Sequence, residues 1–147
     1  MLATNVSDTI LNAFFARGTA NPAIPTSGAC YIGVSTTTPT KGASISGFTE
    51  PASSTGYRRS RLGINDNQAT YIMDAATNGS ITNGTNFIFF DEATAGQGGF
   101  GTVTWFGLFS AASGGSPILA GELTTPVTVA EGQVLIFRPN NLTVSME

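Results

Sequence analysis

The segment GTVTWFGLF at residues 101–109 decides the fold, because its apolar side chains fall on both faces of an extended chain. Alternation sends Val103, Trp105 and Phe109 one way and Phe106 and Leu108 the other. A strand with two apolar faces belongs in the middle of a sheet covered on both sides, so Trp105 is expected in the core. Working outward, AASGGSP at 111–117 reads as a hairpin tip and AEGQ at 130–133 as a tight turn. The runs 118–123, 127–129, 134–137 and 142–146 read as the strands between and after them. Upstream, strands are expected at 29–35, 56–64, 69–74 and 85–90, with Asn78-Gly79 and Asn83-Gly84 as tight turns. Phe87, Ile88, Phe89 and Phe90 repeat the two-sided apolar pattern.

Short strands at this spacing predict an all-β chain, an antiparallel β-sandwich of the jelly-roll or immunoglobulin-like kind. One helix is expected at residues 7–17, where Ile10, Leu11, Phe14 and Phe15 gather on one side between a Ser7 cap and Gly18. So wide an apolar face on so short a helix must be buried, against the sheet or another subunit. Residues 36–56 form a long polar excursion read as a mobile loop. No repeat or boundary interrupts the sequence, and 1–147 is expected to be a single domain of sufficient size to bury a core.

Composition narrows the chemistry. Only 10 % of the 147 residues are charged, histidine is absent and cysteine occurs once, as Cys30. The usual general base and the commonest metal ligand are therefore missing, and no intrachain disulfide can form. No catalytic, cofactor or metal residue is assigned. Asp91 and Glu92 are adjacent, which sets them on opposite faces of a strand, while Glu50, Asp66, Asp74 and Glu122 stand in no motif. Lys41, the sole lysine, lies in a Gly/Thr/Ser stretch unsuited to lowering its pKa. A net charge of −3 gives no attraction to nucleic acid, and no apolar run is long enough for membrane insertion by a helix.

Half of the positive charge lies within four residues, at Arg58, Arg59 and Arg61. On a strand Arg59 and Arg61 share a face with Arg58 opposite, a pair of forks suited to a partner carboxylate, a phosphate or a sugar acid. The alternative is a solvated or intramolecularly paired strand edge. Phe14 and Phe15, with the three arginines, are the candidate assembly contacts.

Several stretches carry a family resemblance: LNAFFARGTA at 11–20, YIGVSTTTP at 31–39, GYRR at 56–59, GTVTWFGLF at 101–109 and LTTPVTVAEGQ at 123–133. In order and spacing the chain resembles small tailed-bacteriophage virion proteins, often labelled tail fibre or structural proteins. The resemblance covers nearly the whole chain, although 58–61 is richer in arginine than the family's usual strand. It implies a non-enzymatic virion component made in the host bacterial cytoplasm, a tail or tail-fibre subunit whose partners are other copies of itself and other virion proteins. Two alternatives are a capsid decoration protein and, from another class, a carbohydrate-binding module that would contact a host surface glycan through Tyr31, Tyr57, Tyr71 and Arg59 or Arg61.

Overall fold

A computed structural model describes residues 11, 30–42, 44–62 and 72–145. The expected helix at 7–17, with Phe14 and Phe15, lies outside the described residues except for Leu11, which is buried. Among the described residues the chain is all-β with antiparallel ladders, as expected. Eight strands occur: β1 (Tyr31–Ser35), β2 (Ser60–Arg61), β3 (Ser80–Thr82), β4 (Ile88–Glu92), β5 (Gly101–Phe109), β6 (Leu119–Val129), β7 (Val134–Phe137) and β8 (Thr143–Ser145). Two compact units result, one formed by Tyr31–Ser60 with Phe89–Leu135, the scaffold unit, the other by the remaining described residues.

A four-stranded sheet runs in the order β2-β1-β5-β6, with β1, β5 and β6 in the scaffold unit. GTVTWFGLF forms an internal strand, as its two apolar faces required, pairing antiparallel with β1 (Tyr31↔Phe109, Val34↔Phe106) and with β6 (Gly101↔Val129, Leu108↔Leu119). Between Val103 and Trp105 the β6 register shifts: Thr104 alone separates them, whereas Leu123 to Pro126 separate their partners Glu122 and Val127. Pro126 interrupts the sequence pattern there, yet the strand continues, because a bulge on an edge strand tolerates a residue without an N–H. The two expected strands 118–123 and 127–129 are thus one.

Trp105 is half-buried rather than in the core, and the fully buried positions of β5 are Val103 and Gly107 to Phe109. Its register partners are Ser35 on β1 and Glu122 on β6, the latter at the edge of the bulge. β4 also departs from expectation. Ile88 and Phe90 are buried while Phe87 and Phe89 are exposed, so the strand is one-sided. β7, its partner, alternates in the same way, with Leu135 and Phe137 buried.

In the other unit β3 pairs antiparallel with β8 (Ser80↔Ser145, Thr82↔Thr143). Asn78 and Gly79 both take positive φ, 53° and 73°, and Thr77 and Ser80 exchange backbone hydrogen bonds of 2.8 and 3.1 Å around them. This is the two-residue turn that the Asn-Gly pair predicts. Asn83 is fully buried, and its amide is used at both ends. Nδ2 donates to the carbonyls of Asn86 (2.6 Å) and Arg138 (2.9 Å), and Oδ1 accepts from the Leu142 N–H (3.0 Å). A buried side-chain amide is tolerated on that condition.

Candidate functional site: an arginine-floored cleft

Gly33 of β1 and Gly107 of β5 lie directly opposite each other. Side chains of an opposed pair share a face, so two glycines on one rung hollow that face of the sheet. The hollow is filled from above. A Cβ on Gly33 would stand 2.7 Å from Glu50 Oε1 and 2.9 Å from both the Phe109 ring and the Tyr57 hydroxyl. A Cβ on Gly107 would stand 2.8 Å from the Phe48 ring and 3.0 Å from Pro117 Cβ.

Into this trough reach Tyr57, Arg59 and Glu50. The Tyr57 hydroxyl accepts from the Val34 N–H (2.9 Å) and donates to Glu50 Oε1 (2.8 Å). Its ring meets Phe100 edge-on at 5.5 Å and lies nearly parallel to Phe90 at 6.1 Å. Burial, followed by the adjacent Glu50 charge, pushes the phenol well above its ordinary pKa, so it stays a neutral donor. Arg59 donates from Nε to Glu50 Oε1 (2.8 Å) and from Nη2 to Oε2 (2.7 Å), a two-pronged pair. Nη1 donates to the carbonyls of Ala111 and Gly114, each at 2.9 Å. Beneath, the guanidinium carbon sits 3.3 Å from the centre of the Phe109 ring, which Phe48 meets edge-on at 5.5 Å.

One buried cation therefore ties three pieces of sequence together: β1 through Tyr57 and Glu50, the polar excursion that carries Glu50, and the β5–β6 hairpin tip at 111–114. The excursion is pinned at its root as well. Buried Ser35 accepts at Oγ from the N–H groups of Thr37 (3.1 Å) and Thr49 (2.9 Å), and Thr36 N–H donates to Thr49 O at 3.1 Å. Farther out, Thr40 and Ser46 exchange bonds of 2.8 and 3.0 Å.

Above the pair opens a cleft of about 420 Å³ lined by Glu50, Pro51, Ser53, Tyr57, Arg58 and Arg59 with residues 112–114. The three arginines diverge here. Among the described residues of the expected strand only Ser60 and Arg61 are extended in the sheet, so simple alternation does not govern 58 and 59. Arg59 turns inward with its side chain 3 % exposed, and Arg58 stands at the cleft rim, 83 % exposed, with Nε 3.8 Å from Asp91 Oδ2. Arg61 is half-buried in β2. The carboxylate facing Arg59 is this chain's own Glu50, the intramolecular pairing that the sequence left as the alternative reading. From sequence Glu50 stood only among the carboxylates outside any motif, and neither its pairing with Arg59 nor the Gly33–Gly107 rung could be read there, since both depend on how the chain folds back on the sheet.

The other carboxylates of the strands are exposed: Asp91 and Glu92 on β4 and Glu122 on β6. Among the described residues, no cluster of three acidic or cysteine side chains could hold a metal ion, and no helix is long and apolar enough to cross a membrane.

A sequence model of the family described as podophage GP4 fiber I protein gp80 matches residues 2–145. No curated protein matches the chain.

Proposed function

This chain belongs to the podophage GP4 fiber I protein gp80 family, a phage tail-fibre-type structural family of the virion, and from that premise we propose that it works without catalysis, as a docking subunit. In this reading it contacts other virion proteins and further copies of itself. The observation that carries it is the family match across nearly the whole chain. The buried Arg59–Glu50 pair supports it, because it fixes the polar excursion and the hairpin tip on a rigid sheet. Loops held in this way meet a partner without a large ordering cost. Repeated copies on a symmetric platform then gain strength by multiplicity.

Quantitative mass spectrometry of purified particles tests the proposal. A copy number in small multiples of three or six is expected for a fibre or tail position. Hundreds of copies would place the protein on the capsid instead, and absence from washed particles would overturn the virion assignment.

A further inference from the structure

The cleft is more than a by-product of loop anchoring. We propose that it binds a polyhydroxylated carboxylate, the chemistry of an acidic sugar residue. Its volume of about 420 Å³ falls within the range of about 300–1,000 Å³ usual for small-molecule sites. The floor is rigid before any ligand arrives, since Arg59 is held by two carboxylate oxygens and two carbonyls.

Charge selects the ligand. Arg59 and Glu50 neutralise each other, which leaves the cleft with the charge of Arg58. That guanidinium is loosely held: its side chain and that of Asp91 are both largely exposed, and the 3.8 Å separation is at the limit of an ion pair. A ligand carboxylate can take both prongs of the fork in place of it. Across the cleft, Glu50 Oε2 accepts from Arg59 Nη2, and its side chain remains 25 % exposed. A carboxylate oxygen has room for a second donor, and a ligand hydroxyl supplies one. Ser53 and Ser113 add hydroxyls at the walls, while Pro51 and Ala112 give an apolar surface for the C–H face of a ring. Inorganic phosphate would satisfy Arg58 but offers no ring for that surface. A neutral sugar would satisfy Glu50 but leave Arg58 with only its long contact to Asp91.

This inference rests on the cleft alone and is independent of the virion assignment. The test is a titration of the full chain followed by backbone amide shifts, using glucuronate, glucose, inorganic phosphate and tetragalacturonate. Glucuronate is expected to give saturable shifts at residues 50–59 and 111–114, with glucose weaker by about tenfold or more, the scale of a lost charge-assisted bond. Arg58→Gln should reduce glucuronate to the level of glucose. Ala112→Trp, which fills the cleft from its exposed wall, should abolish both, and an unchanged thermal midpoint shows that each variant folds. Tetragalacturonate binding tighter than glucuronate indicates a sugar acid within a chain, and weaker binding indicates the free acid. Absence of saturation by either acid, phosphate binding equal to glucuronate, or glucuronate binding untouched by both substitutions overturns the proposal.

Discussion

Removing the Glu50 carboxylate should destabilise the scaffold unit more than any other single change to a polar side chain there. Glu50→Ala strips three hydrogen bonds, two from Arg59 and one from Tyr57. It also leaves a cation whose side chain is 3 % exposed with only two carbonyls and a ring face as partners. Breaking a buried pair from one side costs about 3–5 kcal/mol, and the partial exposure of Glu50 favours the lower end. For a chain of this size that lowers the thermal midpoint by on the order of 10 °C. Trp105, the sole tryptophan, lies in β5 of the same unit, so its fluorescence during urea unfolding reports the loss directly. Arg59→Met together with Glu50→Ala should recover part of the stability, because the double change leaves no unpaired charge over the Phe109 ring. A Glu50→Ala protein within about 1 kcal/mol of the parent would refute the reasoning, since the pair would then be worth no more than a surface bridge.

Gly33→Ala should cost about 1–3 kcal/mol by overpacking, as its new methyl would press on Glu50, Tyr57 and Phe109 at once; a neutral effect in urea unfolding would remove the trough from the account. Burial pushes the Cys30 thiol up to about 12, so the folded chain at pH 8 should react with a thiol reagent far more slowly than the unfolded chain, and equal rates would contradict that burial. Glu131 accepts from the N–H groups of Gly96 (2.8 Å) and Gly98 (2.6 Å), which hold its carboxyl below the usual glutamate range. A depressed carboxyl contributes stability above its unfolded pKa and loses it as pH falls through the folded one. Amide shifts of Gly96 and Gly98 should therefore titrate with a midpoint below the ordinary glutamate value, and a midpoint at that value would show that the contact does not form in solution.

The β5 segment was legible because two apolar faces are a local property, readable by alternation, and the turns at Asn78-Gly79 and 130–133 were legible because positive φ has few residue solutions. What failed was what alternation cannot reach. It records that FIFF at 87–90 is apolar but not which face is covered, and the structure buries only Ile88 and Phe90. It places Arg59 beside Arg61 on a strand that in fact begins at Ser60. Glu50 could not be matched with Arg59 from sequence, because their meeting depends on how the excursion returns to the sheet. The two glycines show most clearly how register turns sequence into site. YIGV and WFGLF are two of the stretches on which the family resemblance rests, and each carries one glycine in an otherwise bulky strand. Separately, either glycine reads as a weak point in its strand. Once β1 and β5 pair as Gly33↔Gly107, the two become one hollow, deep enough for a carboxylate, a phenol and an aromatic ring. The resemblance thus has a physical content: a chain that keeps this rung keeps the place where Arg59 is held and where the cleft above it can form.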